Sequence, residues 1–353
     1  MKSQKKALIV QSTDWHLKKE NIDQIKDLVL QQCELALELE AEYLVCLGDI
    51  FDSRIAQRED VLSAFGDILD MIDSYGLKLW AIPGNHDKTV YSSIKSFLDP
   101  FKGRDYFKLV DKIARLPFIE EQIQLNFIPF FSDEVWLGHF DLLKTTPQLP
   151  VLKGCKEILL THIAVTGSRN NDGTMISSSL SPGIFKDFFK VFSGHYHDQQ
   201  KIGSNFYHIP SIQQNNFGEN VDKGFTVLYA DGSHELVKSK FKEFVKVQID
   251  LDTINSDELL TLKKKYKGSE SNVRFEFKGS ENVLKSLKKE DFTSLGIDVK
   301  TKNKEIEDDI IFSESAEVVE HTGDSIIEEF KKCCEKENWN VEQGLKYLNK
   351  KLK

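Results

Sequence analysis

Aspartate, histidine and asparagine recur at short spacings through the first two-thirds of the chain: Asp14-Trp15-His16, Gly48-Asp49-Ile50-Phe51-Asp52, Gly84-Asn85-His86-Asp87, Thr161-His162 and Gly194-His195-Tyr196-His197. Carboxylate, carboxamide oxygen and imidazole together suit hard or borderline divalent cations, whereas softer metals select thiolates. No cysteine falls in any of the five groups. Two such cations about 3.5 to 4 Å apart, bridged by one carboxylate, lower the pKa of a shared water and draw charge off a phosphoryl group. The chemistry written in these residues is therefore two-metal phosphoester hydrolysis. Asp49, between other potential ligands, is the candidate bridge. Taken singly, each group is an ordinary turn, because Gly, Asn and Asp are turn formers and Pro83 precedes Gly84.

What precedes each group separates a site from a set of turns. Ala7-Leu8-Ile9-Val10 leads to Asp14, Leu44-Val45-Cys46-Leu47 to Asp49, Leu79-Trp80-Ala81-Ile82 to Asn85, Ile158-Leu159-Leu160 to His162 and Val191-Phe192 to His195. Short apolar runs that end in a polar residue read as strands buried on both faces. Ligands at the carboxyl ends of such strands converge on one rim of a sheet. Between the runs lie amphipathic segments such as Ile22 to Leu39, with apolar residues near helical spacing. The runs Ile123 to Ile128, Asn205 to Ile209 and Gly224 to Tyr229 add further strands. The expected fold class is α/β, a two-sheet sandwich flanked by helices.

A chain of 353 residues exceeds what one core usually organises, so two or three domains are expected. Hydrophobic residues at 40% and charged residues at 29% are those of a soluble globular protein. No apolar stretch is long enough to span a bilayer, and Met1 to Lys6 runs into the first strand without a signal-like apolar segment. Five unpatterned cysteines fit a reducing compartment, so a cytoplasmic location is expected. The net charge of -9 argues against a protein that coats nucleic acid. Bound cations and local lysines would have to supply the positive field for a phosphate substrate.

The five motifs resemble those of the calcineurin-like metallophosphoesterase superfamily, D-x-H, G-D-x-x-D, G-N-H-[DE], H and G-H-x-H, all present without substitution. Ser12 to Leu17 is similar to the T-S-D-W-H-L opening of SbcD-type DNA-break-processing nucleases. Ile209-Pro210-Ser211 with Phe217-Gly218-Glu219 is similar to their G-S-P and F-G-E segments, although Ile-Pro-Ser replaces Gly-Ser-Pro and Lys18 stands where many relatives carry glycine. Thr166 to Gly173 is similar to a loop of phage recombination-exonuclease subunits. The resemblance implies one metal on Asp14, His16, Asp49 and His197, and a second on Asp49, Asn85, His162 and His195. Mn is the expected metal, with Mg the alternative. His86 is expected beside the scissile phosphate, where it could stabilise developing charge or protonate the leaving oxygen. Asp52 is spaced either to orient His86 or to cap the next helix. His139 and His208 match no motif and are expected to pack or lie at the surface.

The implied activity is a DNA exonuclease and endonuclease subunit that works on DNA with an SbcC-type SMC-like ATPase. A nucleotide phosphodiesterase or phosphatase of the same superfamily and a non-enzymatic scaffold are the competing readings. The expected organisation is a nuclease domain over 1–241, a small α+β capping domain over 242–301, an acidic linker over 302–321 and a helical hairpin over 322–353. Lys263-Lys264-Lys265 and Lys288-Lys289 of the cap either touch phosphates or are solvated helix faces. The hairpin stripes Ile326, Ile327, Phe330, Trp339, Leu345 and Leu348, too much apolar surface for a short segment to bury alone. By resemblance it docks on the ATPase; folding back on its own chain is the alternative. A homodimer is also implied. Val61, Phe65, Ile68, Leu69 and Ile72 form a stripe that would serve it, or that packs privately.

Overall fold

The computed structural model describes residues 5–146, 152–170 and 173–303. In chain order its main elements are β1 (Ala7–Ser12), α1 (Ile22–Glu38), β2 (Tyr43–Cys46), α2 (Glu59–Ser74), β3 (Lys78–Ala81), β4 (Phe107–Leu109), β5 (Ala114–Phe118), β6 (Ile123–Ile128), α3 (Asp133–Thr145), β7 (Lys156–Thr161), β8 (Lys190–Ser193), β9 (Gln200–Ile202), β10 (Phe206–His208), β11 (Gly224–Tyr229) and β12 (His234–Lys238). Two six-stranded sheets result, in the orders β12-β11-β1-β2-β3-β4 and β5-β6-β7-β8-β10-β9. Strands β1 to β4 are mutually parallel, as are β6, β7, β8 and β10. Each sheet ends in an antiparallel hairpin or edge, which is where a mixed sheet departs from a plain doubly wound one.

The period of two along the strands explains why the apolar runs are continuous. Val10, Leu44 and Cys46 face α1 and α2, while Ile9, Val45 and Leu47 face Leu125, Phe127, Ile158, Leu160 and Phe192 of the second sheet. The far side of that sheet packs Leu159, Val191 and Phe206 on Trp136, Phe140 and Phe185. Every inner strand is thus covered on both faces, and each fully buried Leu, Ile, Val or Phe contributes about 1.5 to 3 kcal/mol.

The α2 stripe belongs to this core. Val61, Phe65, Ile68, Leu69 and Ile72 are all buried, and Phe65 meets Phe101 and Phe51 edge-on at ring-centroid distances of 4.8 and 5.4 Å. The private packing is the one realised, so the stripe offers no dimer surface. Helix α2 also begins too late for Asp52 to cap it: its N-cap residue is Arg58.

The described residues resolve into two compact units, one of residues 5–146, 152–170, 173–248, 255–276 and 288–300, the other of residues 249–254, 277–287 and 301–303. Beyond the two large sheets come β13 (Phe244–Asp250), α4 (Ser256–Tyr266), β14 (Asn272–Gly279), α5 (Glu281–Ser286), α6 (Glu290–Thr293) and β15 (Ile297–Asn303), with a three-stranded sheet in the order β13-β14-β15. Asn255 caps α4, accepting from the Glu258 amide at 2.8 Å, while Glu258 reaches back to the Asn255 amide. Lys263 lies 4.0 Å over the Phe292 ring, a packing role for one lysine of the basic run. The acidic linker and the expected hairpin, with Ile326, Ile327, Phe330, Trp339, Leu345 and Leu348, lie outside the described residues. Among the described residues, no helix is long and apolar enough to cross a membrane.

Candidate metal centre

The ligand candidates stand just past the carboxyl ends of β1, β2, β3, β7 and β8, where the chain must turn sharply while its polar groups stay paired. Asp14, His16, Asp49 and His195 all adopt left-handed backbone, with φ of 52°, 46°, 52° and 85°. Non-glycine residues seldom do so, and such strain collects at functional sites. Main-chain bonds hold the turns: the amides of Asp14, His16 and Leu17 donate to the carbonyls of Gly48, Asp49 and Ile50 at 3.0, 3.0 and 2.8 Å. Gly48 is required twice over. Its φ is +96°, and a Cβ there would lie 2.7 Å from both the Gly84 amide nitrogen and His162 Nδ1.

These turns bring all seven expected ligands together. His16 Nε2 and His197 Nε2 face each other at 3.1 Å, with Asp14 Oδ1 at 3.9 and 3.8 Å from them. On the other side, His162 Nε2 lies 3.3 Å from Asp49 Oδ2 and 3.1 Å from Asn85 Oδ1, and His195 Nδ1 is 2.8 Å from that same amide oxygen. Ligand atoms of Asp14, His16 and His197 all lie within 4.8 Å of one another, as do those of Asp14, Asp49 and His162 and those of His16, Asp49 and His86. Asp14 and His162 are fully buried, and Asp49 is 2% exposed.

The donor set fits divalent cations on the chain's own terms. Asp14 Oδ1 is buried with no hydrogen-bond partner among the described residues, a costly state for a carboxylate oxygen unless a cation completes it. Hydrogen bonds behind the imidazoles fix their tautomers as metal ligands require: His162 Nδ1 donates to the Leu47 carbonyl at 2.6 Å and His197 Nδ1 to Glu219 Oε1 at 2.7 Å, leaving each Nε2 for the centre. Charge tells the same story. Burial works to raise the Asp49 carboxyl, but the imidazoles of His162, His16 and His86 hold it far below its usual range. Burial would lower His162, and Asp49 outweighs it, lifting His162 to about 9. Burial, reinforced by His162, pushes His195 down to about 3. A carboxylate that pulls a proton onto a buried imidazole is one that calls for positive charge between them, which a divalent cation supplies.

A family model described as Calcineurin-like phosphoesterase matches residues 7–199. The chain belongs to that family. It is therefore a phosphoester hydrolase of a class that uses divalent metals. Exonuclease subunit 1 of Enterobacteria phage T4 is 25% identical over 195 residues, 52% of this chain and 53% of the relative, so the chain spans about half the length of the curated relative it matches. Among solved structures, similarity is found to a dimetal phosphatase from Danio rerio, with 12% identity over 64% of this chain and 93% of that one at a TM-score of 0.41. The calcineurin-like phosphoesterase YfkN from Bacillus subtilis is 15% identical over 66% and 91%, at a TM-score of 0.37.

In this phosphoesterase the centre opens into a cleft of ≈ 350 Å³ lined by His16, Asp49, Asn85, His86, His195 and His197 together with Lys18, Asp52, Arg54, Asn215 and Asn216. His86 stands at its edge. Its amide donates to Asp49 Oδ1 at 2.8 Å, its Nδ1 to the Asp52 carbonyl, and its Nε2 meets Arg54 Nη2 at 2.6 Å. Burial lowers the His86 pKa, so the neutral ring accepts from Arg54. The expectation that the Asp52 side chain orients His86 is corrected here: its backbone carbonyl does so. The carboxylate turns instead to His16 Nδ1 and Lys18 Nζ, both at 3.5 Å.

Several functional residues escaped the sequence reading. Asp87, the last residue of Gly84-Asn85-His86-Asp87, is fully buried and accepts from the amides of Gly84, Phe51 and Ile50 at 2.8, 3.0 and 3.3 Å, tying two ligand turns together. Glu219 orients His197 while its other oxygen accepts from Lys223 at 2.9 Å. In the sequence, Phe217-Gly218-Glu219 is a likeness that carries no role. Arg54 carries no sequence signal at all, since one arginine in a polar loop is unremarkable. Glu219→Gln is expected to weaken metal binding about 10- to 100-fold, because the amide no longer fixes the His197 tautomer as a carboxylate does. Titration with Mn followed by calorimetry reads this directly, and unchanged affinity would remove Glu219 from the centre.

His208 lies beneath the centre, donating to the Gly194 carbonyl at 3.0 Å and facing Ser168 Oγ at 2.8 Å. His139 stacks on Phe131 at 4.4 Å. Burial, only partly offset by the Gly194 bond, pushes His208 down to about 4. The unfolded chain then binds the extra proton first, so stability is complete above about pH 6.5 and lost as pH falls through about 4, by up to about 3 kcal/mol. Urea unfolding at pH 7 and pH 4.5 should show this slope, and His208→Gln should flatten it.

Proposed function

We propose that this phosphoesterase is a Mn-dependent DNA nuclease, cutting phosphodiesters as the catalytic subunit of a complex with an SbcC-type SMC-like ATPase. The observation that carries the reading is the joining of a seven-ligand centre to an open cleft edged by Arg54, Lys18 and His86. An open, cation-edged cleft suits a polymer backbone better than an enclosed pocket would. The T-S-D-W-H-L likeness supports the choice of DNA, and the relative named Exonuclease subunit 1 supports a nuclease.

In this reading Asp14, His16, Asp49 and His197 would hold one cation and Asp49, Asn85, His162 and His195 a second. When bound, the pair would supply an activated water at neutral pH and withdraw charge from the phosphoryl oxygens. The chain's residues do the rest. Asn85, held by two imidazoles, presents its amide oxygen inward. His86, anchored at Nδ1, holds the Arg54 guanidinium at the cleft, where it offsets charge that grows on the phosphoryl oxygens. Neutral His86 has no proton at Nε2 to give, so its first task is positioning Arg54 rather than acid catalysis. The hairpin over 322–353 is the proposed ATPase-docking segment, and a homodimer must use a surface other than the α2 stripe.

The test is cleavage of end-labelled DNA and of a cyclic nucleotide by purified protein with Mn or Mg. DNA cleavage with no turnover of the nucleotide supports the reading; the reverse assigns a nucleotide phosphodiesterase. His86→Ala is expected to keep both metals and lose about 100-fold in cleavage rate. Arg54→Ala should lose a similar factor, and the double variant little more, since the two act as one unit.

A further inference from the structure

Of the ligand histidines, all but His195 have a polar partner behind the ring. Nδ1 of His162 donates to the Leu47 carbonyl, Nδ1 of His197 donates to Glu219, and Nδ1 of His16 faces Asp52 Oδ1 at 3.5 Å. His195 differs. Its Nδ1 turns to Asn85 Oδ1, a fellow ligand, at 2.8 Å, and its Nε2 has no hydrogen-bond partner among the described residues. An imidazole without such a bond can turn about its broad χ2 torsion and misplace its lone pair. Aromatic rings surround it instead. Phe130 lies nearly parallel to it, at a centroid distance of 6.4 Å and an interplanar angle of 16°, while Tyr196 and His162 meet it edge-on at 5.0 and 5.3 Å. These separations fall within the ~4.5 to 7 Å over which aromatic rings hold one another's orientation.

The fold builds Phe130 into that place. Strand β6 runs parallel beside β7, yet none of the ligands follows it; Phe130 stands just past its last residue, Ile128. The Phe130 amide donates to the Pro83 carbonyl at 3.0 Å and its carbonyl accepts from Lys88 Nζ at 2.6 Å, so its main chain is tied on both sides to the segment that carries Asn85. Lys88 is fully buried, and its ammonium lies 3.8 Å over the Phe131 ring, which holds the donor in place. The Phe130 ring also meets His162 edge-on at 6.1 Å and is backed by Tyr91, edge-on at 5.0 Å. It therefore reaches both imidazoles assigned to the second cation. Among the described residues, no ring contact joins it to His16 or His197.

We propose that Phe130 is a positioning residue for the second cation, fixing the plane of His195 by ring stacking where the other imidazoles are fixed by polar partners. The proposal rests on the two-cation assignment above and not on the choice of DNA as substrate. Its consequence is that one substitution affects the two cations unequally. Phe130→Leu keeps an apolar side chain but offers His195 no planar face.

The experiment is calorimetric titration of the full chain with Mn, paired with low-temperature electron paramagnetic resonance at two equivalents of metal. The native chain should bind two Mn and show the multiline signal of an exchange-coupled pair. Phe130→Leu should bind the second Mn about tenfold more weakly, leave the first unchanged and show uncoupled Mn at the same loading. Phe130→Tyr, which restores the ring, should return the native isotherm. Unchanged second-site affinity in Phe130→Leu overturns the proposal, as does equal weakening of both sites, the mark of a general packing loss. Should Phe130→Leu fail to fold, Tyr91→Leu decides, since Tyr91 is exposed and its ring only backs Phe130. A second-site affinity lowered about threefold there supports the proposal, and a native value overturns it. A native chain that binds one Mn or none removes the two-cation assignment and this proposal together; two Mn with an unaffected variant remove Phe130 alone.

Discussion

Asp49→Asn is expected to lower phosphodiester cleavage by about 10³-fold or more and to reduce the bound metal from two equivalents to one. The substitution keeps shape and removes one negative charge from a place ringed by His162, His16 and His86. Asp49 uses both oxygens: Oδ1 accepts the His86 amide at 2.8 Å while Oδ2 faces His162 at 3.3 Å. An asparagine has one oxygen to offer. Turned one way, its NH₂ confronts the His86 amide; turned the other, it points into the centre where a cation would lie. Loss of about 4 kcal/mol of transition-state stabilisation corresponds to that factor in rate. Metal analysis with a chromogenic phosphodiester assay checks it independently of the natural substrate. A variant with two metals and full activity would show that Asp49 is not the shared ligand.

Gly194→Ala should be nearly as damaging, through space alone. A Cβ at Gly194 would fall 2.1 Å from Thr13 Oγ1, 2.8 Å from His162 Nδ1 and 2.9 Å from the Leu47 carbonyl. The methyl group would enter the hydrogen bond that fixes the His162 tautomer. Backbone must move to admit it, at a cost of about 3 kcal/mol or more, and metal affinity should fall with it. Gly138, in the middle of α3, has nothing within 4 Å of a built Cβ. Gly138→Ala should instead stabilise by about 1 kcal/mol. Thermal melting of the two variants beside the native chain separates the cases, and equal melting temperatures would refute the crowding argument.

Much of this centre was legible because its ligands follow strands, and buried strands announce themselves as apolar runs. The β6 and β11 runs Ile123–Ile128 and Gly224–Tyr229 were read with the bounds they have, and α1 ends one residue short of the expected Leu39. Asp52 shows where spacing stops being informative. It sits where expected relative to His86, yet the bond is made by its carbonyl, and main-chain atoms leave no trace in residue identity. The α2 stripe was ambiguous for a different reason, since a helix face buried against its own sheet and one buried against a second copy have the same periodicity. Arg54 was illegible because its meaning is tertiary: it is an unexceptional polar residue until other segments close around it.

The two sheets contribute unequal shares to one cluster: Asp14, His16, Asp49 and Asn85 follow strands of the first, His162, His195 and His197 strands of the second. Cations held there would act as a clasp across the sandwich, bound by the docked halves and by neither half alone. Ligand binding of that kind shifts the global unfolding equilibrium, so chelator should lower the melting point of the whole large-sheet assembly rather than loosen a single loop.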